Sequence, residues 1–146
     1  MSKFLITIVG PTAIGKTSLA IKLAKHYKTE VISADSRQFY RELNIGTAKP
    51  SKDELSSVKH HLINNISVTD KYDISQFESD ARKIIENLFK TKDYIILVGG
   101  SGLYIDTLLY GIDKIPDVED SLRKKLNEEF QNNGLKNLLA QLKKID

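Results

Sequence analysis

The stretch FLITIVGPTAIGKTSLAIKLAKHYKTEVISAD, residues 4–35, decides the fold. Residues 4–9 form an apolar run that ends at Gly10 and Pro11, a pattern typical of a strand buried on both faces of a parallel sheet. From Lys16 to Tyr27, apolar residues recur every three or four positions and predict a helix. Residues 30–34 are apolar enough for a second strand. Strand, tight loop, helix and strand together predict a right-handed βαβ unit with parallel strands.

The loop inside this unit, GPTAIGKT, matches the phosphate-binding pattern G-x-x-x-x-G-K-[ST]. It lies where that loop must lie, between a buried strand and the start of a helix. Its backbone N–H groups can turn towards phosphate oxygens, and the helix N-terminus adds partial positive charge. Lys16 would supply a full charge, and the Thr17 hydroxyl could hold Mg²⁺. The candidate phosphate-binding residues are Gly10, Pro11, Thr12, Ala13, Ile14, Gly15, Lys16 and Thr17.

The remaining residues up to 111 predict two more helices and one more strand, besides a short helix after Pro50. Ser51 and Glu54 have the spacing of a capping box, so we expect that short helix there, and no sheet strand in residues 35–73. Ser75 and Glu78 suggest a second capping box, which would open a four-turn amphipathic helix. Residues 94–98 predict a third buried strand, and residues 103–109 a further helix.

Residues 1–111 are therefore predicted to form a three-layer α/β domain with a parallel sheet. Residues 112–146 differ: leucines and Phe130 mark one amphipathic helix that stops near Asn133 and Gly134, and Leu135 begins another. We interpret residues 112–146 as the start of a helical subdomain. Because only three sheet strands are predicted, we expect that the chain is part of a longer protein.

Composition excludes several classes of protein. The 146 residues are 40% hydrophobic and 28% charged, typical of a globular protein and not of a disordered one. Cysteine is absent, so disulfides, thiolate metal sites and a cysteine nucleophile are excluded, and a reducing, cytoplasmic location is expected. No apolar run approaches the roughly 18 residues of a membrane span. The net charge of +3 is too small to argue for nucleic acid by itself.

An acidic residue follows the second predicted strand. Asp35 should lie at the carboxyl edge of the sheet, where ligands of parallel α/β sheets bind, and therefore close to whatever Lys16 holds. It could act as a general base, position Mg²⁺ through water, or cap a following helix. The third strand ends in Leu97-Val98-Gly99-Gly100, without the aspartate that an NTPase usually places there, which disfavours ATP hydrolysis.

Three other features have structural interpretations besides functional ones. His60 and His61 are adjacent, so their side chains point apart, and structural hydrogen bonding is favoured over metal binding. The Gly99 to Gly102 segment could be only a tight turn. The aromatic residues Phe39, Tyr40 and Tyr104 could stack on a base, although burial in the core is commoner.

The chain resembles the tRNA dimethylallyltransferases, also called tRNA isopentenyltransferases, over residues 4–111 and weakly to about residue 125. The resemblance rests on GPTAIGKTSLA, SADSRQFYRELNIGTAKP, HHLI, DISQFESDA and ILVGGSGLYIDTLLYG, in order and spacing. Known members are considerably longer, so this chain resembles their N-terminal portion. The family usually has threonine at the position of Ser101, and often an acid at that of Asn64. Neither difference affects the expected chemistry.

The resemblance implies a P-loop NTPase-like fold and transfer of a dimethylallyl group from dimethylallyl diphosphate to N6 of the adenine 3′ to a tRNA anticodon, assisted by Mg²⁺. Lys16 and Thr17 would stabilise the departing diphosphate, and Asp35 would accept the N6 proton. The adenine would have to leave its stack to react. The residues implied to meet tRNA are Asp35, Ser36, Arg37, Gln38, Ser101 and, from spacing alone, Arg123.

Three alternatives stay open at this point. Related adenylate isopentenyltransferases prenylate free adenine nucleotides. A small-molecule kinase would bind ATP on the same loop and use Asp35 to activate a hydroxyl. A P-loop binding module would bind without turnover. For the family's reaction the expected partners are tRNA and dimethylallyl diphosphate, with a monomer and no membrane contact; residues 1–146 alone should have little activity.

Overall fold

The computed structural model describes residues 2–112 and 118–145. None of the helices in these ranges combines the length and apolarity that a bilayer span requires. The elements in chain order are β1 (Phe4–Val9), α1 (Lys16–His26), β2 (Val31–Ser33), α2 (Lys52–Ser57), β3 (His60–His61), α3 (Ile74–Leu88), β4 (Tyr94–Gly99), α4 (Gly102–Tyr110) and α5 (Asp120–Leu142).

The sheet has four parallel strands in the order β1-β4-β2-β3. Strand β4 therefore lies between the two strands of the N-terminal βαβ unit, with Val9 opposite Gly99 and Ser33 opposite Val98. The prediction that residues 35–73 contain no sheet strand was wrong. Strand β3 pairs with β2 through only two residues, too few for any alternation of apolar and polar residues to be visible in the sequence.

The position of β1 corrects a second expectation. Its apolar run predicts burial on both faces, but its four central residues are only partly buried and its two ends are exposed. Among the described residues β1 pairs only with β4, at one edge of the sheet. Phe4 and Val9, at its two ends, are 49% and 59% exposed. The sequence of β1 does not show its place in the sheet, because edge and central strands of a parallel sheet can both be apolar throughout.

Helices cover both faces of the sheet, which confirms the three-layer α/β prediction. Alternate residues of β2 and β4 point to opposite sides: Val31, Ile96 and Val98 pack in a cluster with α1, whereas Ile32 and Leu97 pack with α3 and α4. The residues of β4 from 95 to 97 are fully buried.

Helix boundaries agree with the sequence predictions except in detail. Ser51 and Glu54 form the predicted capping box of α2. Helix α3 begins two residues earlier than expected, because Asp73 and Gln76 form its capping box instead of Ser75 and Glu78. On α1, Ala20, Ile21 and Ala24 are buried, whereas Leu19 is 48% exposed.

The chain divides into two compact units, Met1–Ile112 and Asp113–Asp146. In the second unit, α5 runs from Asp120 to Leu142, with non-helical backbone at Gly134 (φ 74°, ψ 173°). The predicted interruption near Gly134 is therefore confirmed, and glycine suits it because positive φ is costly for residues with a Cβ. Residues 113–117 lie outside the described part of the chain.

Candidate active site at the carboxyl edge of the sheet

The phosphate-binding loop joins β1 to α1 in an irregular backbone conformation. Gly10, Ala13 and Gly15 all have positive φ, of 145°, 67° and 91°. Gly15 precedes α1, and no side chain caps the helix there. The first N–H groups of α1 therefore have no side-chain acceptor at the cap and can bind an anion. The Lys16 ammonium donates a hydrogen bond to the Pro11 carbonyl at 2.6 Å, which holds the lysine against the loop.

A cavity of about 290 Å³, here called the loop cavity, opens beside this loop. One wall consists of loop and α1 residues. The opposite wall comes from β2, the segment after it, α2, β3, the residues just after β3, and the end of β4. It is large enough for phosphate groups together with a small organic group. Its lining residues are Thr12, Ala13, Gly15, Lys16, Thr17, Ser18, Ser33, Asp35, Gln38, Ala48, Pro50, Glu54, His60, Ile63, Val98 and Gly99.

Asp35 lies two residues beyond the end of β2, at the carboxyl edge of the sheet as expected, and lines the loop cavity together with Lys16. Its Oδ1 accepts a hydrogen bond from the Arg37 N–H at 3.0 Å, which closes a short turn; no α-helix follows. Within the described ranges, Oδ2 has no hydrogen-bond partner. The carboxylate is thus oriented by the turn and retains one oxygen for a ligand.

A second cavity, about 360 Å³ and here called the serine cavity, lies on another side of Asp35. Ser36 follows β2 and Ser101 follows β4, and two hydrogen bonds connect these residues. The Ser36 N–H donates to Ser101 Oγ at 3.1 Å, and the Ser101 hydroxyl donates to Ser36 Oγ at 3.3 Å. Thr12 and Asp35 line both cavities. The lining residues of the serine cavity are Thr12, Asp35, Ser36, Arg37, Gly46, Thr47, Gly100 and Ser101.

Gln38 was expected to meet tRNA, and the structure places it in the wall of the loop cavity with its side chain already bonded. Its Oε1 accepts from Ser33 Oγ at 3.1 Å, and its Nε2 donates to the carbonyls of Thr47 and Ala48 at 3.3 and 3.1 Å. Gln38 is 9% exposed. These contacts fold the segment after β2 back over the strand end, so Gln38 shapes the cavity wall.

Lys49 forms further hydrogen bonds that stabilise the same segment after β2. Its ammonium donates to the Tyr40 carbonyl at 2.6 Å, to Asn64 Oδ1 at 2.7 Å and to Asn44 Oδ1 at 3.1 Å. Burial lowers the pKa of Lys49, and the nearby Glu42 carboxylate opposes that shift. Asn64, where the family often has an acid, thus offers a neutral oxygen to the lysine.

The two strand ends approach each other so closely that Gly99 cannot carry a side chain. A Cβ on Gly99 would lie 2.2 Å from the Ala34 carbonyl oxygen. The segment of residues 99–102 is therefore more than a tight turn. Its first glycine permits the close approach of β4 to Ala34, which brings Asp35 and Ser101 to the same edge of the sheet.

His60 is the site residue that the sequence analysis did not identify. The predicted structural hydrogen bond is present, from Nδ1–H to the Val58 carbonyl at 2.8 Å. However, Nε2 is buried and has no hydrogen-bond partner among the described residues, and His60 is one of the residues that line the loop cavity. Burial lowers the pKa of His60, while the Val58 carbonyl and Glu54 favour the charged ring and His61 disfavours it. The adjacent histidine pair gave no signal by which sequence reasoning could separate the two rings.

The side chain of His61 has different neighbours from that of His60, because adjacent strand residues point to opposite faces of the sheet. Its Nε2 is 2.5 Å from Glu30 Oε2, outside the loop cavity. In the described residues no three acidic, histidine or cysteine side chains come together as a metal site. A magnesium ion that is bound mainly by phosphates and water needs no such cluster, and the Thr17 hydroxyl in the loop cavity fits this kind of binding.

Arg123 lies on α5 in the second unit and is exposed. Its assignment to tRNA binding therefore stays a prediction. Most of the other predicted site residues lie at the two cavities: Lys16 and Thr17 at the loop cavity, Ser36, Arg37 and Ser101 at the serine cavity, and Asp35 at both. The predicted loop residues Gly10, Pro11 and Ile14 line neither cavity.

Comparison with known proteins identifies close relatives. The family model described as IPP transferase matches residues 38–146. The tRNA dimethylallyltransferase of Flavobacterium johnsoniae is 50% identical over 144 residues, and that of Christiangramia forsetii is 49% identical over 146 residues. These alignments cover 99% and 100% of this chain but 47% and 48% of the two relatives. The chain thus spans about half the length of the curated relatives it matches.

Solved structures give the same result. The full-length tRNA isopentenylpyrophosphate transferase of Bacillus halodurans matches all of this chain and 48% of its own, with a TM-score of 0.73 and 35% identity. A eukaryotic dimethylallyltransferase, crystallised while acting on tRNA, matches 91% of this chain and 33% of its own, with a TM-score of 0.70 and 29% identity. The P-loop NTPase-like fold predicted from the resemblance is confirmed by these matches.

Proposed function

The chain belongs to the IPP transferase family, and we propose that the protein transfers a dimethylallyl group from dimethylallyl diphosphate to N6 of the adenine 3′ to the anticodon of tRNA. The observation that carries this proposal is the pair of cavities that meet at Asp35 and Thr12. A transferase that joins a small diphosphate donor to a large RNA acceptor needs two binding cavities and one shared catalytic group. This edge of the sheet supplies all three.

The loop cavity fits the donor. The positive φ values at Gly10, Ala13 and Gly15 curve the loop so that its N–H groups can bind diphosphate oxygens. Lys16 would exchange its bond to the Pro11 carbonyl for a phosphate oxygen, since a charge-assisted hydrogen bond to an anion is the stronger of the two. These groups stabilise the negative charge that develops as the allylic C–O bond breaks.

The opposite wall of the loop cavity fits the five-carbon group. Ala48, Pro50, Ile63 and Val98 contribute apolar surface to the lining. A dimethylallyl chain placed against these residues would gain free energy from burial. A kinase, by contrast, would have to place a polar ribose and base in the same space.

Asp35 would complete the transfer. When the N6–C bond forms and diphosphate leaves, the amine carries an extra proton that has become far more acidic, and the carboxylate accepts it. The Arg37 N–H fixes Oδ1, so Oδ2 is the oxygen available to the amine. Electrons and atoms balance: one C–O bond breaks, one N–C bond forms, and one proton moves to Asp35.

The serine cavity fits the acceptor. Ser36, Arg37 and Ser101 present hydroxyl and guanidinium groups that suit a ribose-phosphate backbone and an extruded base. Arg37 is exposed and can reach an approaching phosphate. Arg123 would add a contact from the second unit, and the protein would work as a cytoplasmic monomer.

Magnesium would neutralise part of the diphosphate charge when bound. Thr17 is the side chain that would hold it, through its hydroxyl at the start of α1. The other residues act directly on the substrates. This assignment is a proposal that metal titration can test.

The test uses the complete protein with dimethylallyl diphosphate, Mg²⁺ and an anticodon stem-loop RNA. We expect the adenine to gain the mass of one dimethylallyl group, as read by mass spectrometry of the digested RNA. Absence of that gain, in protein shown to bind the RNA, would refute the proposal.

Two further arms separate the alternatives. Adenosine monophosphate added in excess should leave RNA modification unchanged, whereas an adenylate isopentenyltransferase would prenylate the nucleotide instead. ATP in place of dimethylallyl diphosphate should give no phosphate transfer, which a small-molecule kinase would show.

A further inference from the structure

The apolar wall of the loop cavity is built from segments that are distant in the chain. Ala48 and Pro50 line the cavity from the segment between β2 and α2, and Ile63 lines it from the residues just after β3. Each of these segments has a residue with left-handed backbone, Ala48 at φ 48° and Asn64 at φ 56°. Residues with a Cβ adopt this conformation at a cost, so surrounding contacts must hold it. The shape of the wall therefore depends on what joins the two segments.

One side chain joins the two segments directly. Lys49 lies between the two wall residues of the first segment, and its ammonium donates a hydrogen bond at 2.7 Å to Oδ1 of Asn64, the residue after Ile63. The same ammonium donates to the Tyr40 carbonyl at 2.6 Å and to Asn44 Oδ1 at 3.1 Å. An ammonium has three N–H groups, and these bonds use all of them. The lysine is therefore held in place and has no N–H left for a substrate.

We propose that Lys49 and Asn64 are positioning residues for the dimethylallyl group: their hydrogen bond fixes the distance between the two segments of the apolar wall, and thus the fit of that wall to the five carbons. The proposal rests on the proposed donor site and adds two residues outside it that set its affinity for the organic part of the donor. Neither residue is among those that line the loop cavity or the serine cavity. Both therefore act through Ala48, Pro50 and Ile63, and not by contact with a substrate.

Gln38 joins the same two segments by a second route. Its Nε2 donates to the Ala48 carbonyl at 3.1 Å, and its backbone carbonyl accepts a hydrogen bond from the Asn64 N–H at 3.0 Å. These bonds remain when the Lys49 ammonium is removed. Loss of that ammonium should therefore loosen the wall without unfolding it.

The two chemical parts of the donor make this role measurable. The phosphate-binding loop with Lys16 holds the diphosphate from the other side of the cavity. The dimethylallyl group, in contrast, gains free energy only from apolar atoms in contact with it, and a gap of about 1 Å forfeits roughly half of the attraction between two carbon atoms. A displaced wall should therefore weaken binding of dimethylallyl diphosphate and leave binding of pyrophosphate unchanged.

The experiment is calorimetry of dimethylallyl diphosphate and of inorganic pyrophosphate on the complete protein, with Mg²⁺ and without RNA. Lys49→Met keeps the length of the side chain and removes its N–H groups. In this variant the Kd of dimethylallyl diphosphate should rise about five- to tenfold relative to the Kd of pyrophosphate, as for partial loss of apolar burial. Asn64→Gly removes the acceptor at a φ that glycine adopts freely, and the ratio of the two Kd values should change in the same direction.

Two further variants are the controls. Lys52→Met, at the exposed start of α2, removes the same charge away from the wall and should keep the wild-type ratio of the two Kd values. Asn64→Asp keeps an acceptor oxygen for the ammonium and should also keep that ratio. If the charge of the lysine alone mattered, Lys49→Met and Lys52→Met would behave alike, which would contradict the proposal.

Each outcome decides between the claims. An unchanged ratio in Lys49→Met and Asn64→Gly, or an equal loss of affinity for both ligands, would overturn the positioning role while leaving the donor site intact. No pyrophosphate binding by the wild type would instead refute the donor site, and the positioning role with it. If circular dichroism shows that Lys49→Met folds poorly, Asn64→Gly decides alone, because it removes only the side chain of an exposed residue.

Discussion

The loop cavity and the serine cavity are adjacent, yet they are built in opposite ways. The proposed phosphate-binding wall of the loop cavity comes from one short segment, within residues 12–18, that needs only its own backbone and the start of α1. The serine cavity depends on Ser36 and Ser101, which lie 65 residues apart and meet through hydrogen bonds. The comparison teaches that the proposed phosphate site is encoded locally, whereas the proposed acceptor site depends on the assembled sheet.

The largest expected effect belongs to the residue that both cavities share. Asp35→Asn keeps an oxygen for the Arg37 N–H but removes the base, so turnover should fall about 10²- to 10⁴-fold. Affinity for pyrophosphate should stay unchanged or rise, because the loop keeps its shape while the cavity lining loses a negative charge that repels the anion. Stem-loop prenylation and calorimetry measure the two quantities.

Asp106→Asn, on the exposed side of α4, is the control and should behave as wild type. If Asp35→Asn instead lost pyrophosphate binding, Asp35 would belong to a magnesium site, and the two cavities would not share a base.

The close approach of Gly99 to Ala34, which brings the two cavities together, can be broken by one methyl group. Gly99→Ala places Cβ 2.2 Å from the Ala34 carbonyl oxygen, and we expect a loss of about 3 kcal/mol in the free energy of unfolding. Urea denaturation followed by circular dichroism measures it. Gly102→Ala, where a Cβ meets nothing within 4 Å, is the matched control and should be neutral or slightly stabilising. Equal stability of the two variants would contradict the close approach.

The loop cavity alone should respond to Lys16→Met. Removal of the ammonium should weaken pyrophosphate binding about 10- to 100-fold and leave stem-loop affinity unchanged. Lys22→Met, exposed on α1, supplies the control. A parallel loss of RNA affinity would show that the two cavities do not bind independently.

The smallest effect is expected at the serine cavity. Ser101→Ala removes the acceptor of the Ser36 N–H, and we expect the KM for the stem-loop to rise about fivefold, as for one neutral hydrogen bond. Ser101→Thr keeps the hydroxyl that the family usually has there and should restore the wild-type KM. If Ser101→Ala and Ser101→Thr raise the KM equally, the changed shape of the side chain is the cause and the lost hydrogen bond is not.

The sequence by itself determined the βαβ unit, the phosphate-binding loop and the amphipathic helices, because these depend on contacts between residues close in the chain. Lys16 and Thr17 could therefore be assigned from residues 10–17 alone. The family resemblance added the roles of Asp35 and Ser101, which no spacing in the sequence could supply. Gly134 was recognised as a helix interruption for the same local reason.

Only the tertiary structure decided what lies opposite the loop. Strand β3 is too short to leave a periodic signal, yet its pairing with β2 puts His60 in the loop cavity and turns His61 towards Glu30. The place of β1 at the sheet edge likewise depends on which strands pair, and an apolar run is the same in either position. Strand order and side-chain partners arise from contacts between distant residues, and those are fixed only when the whole sheet packs.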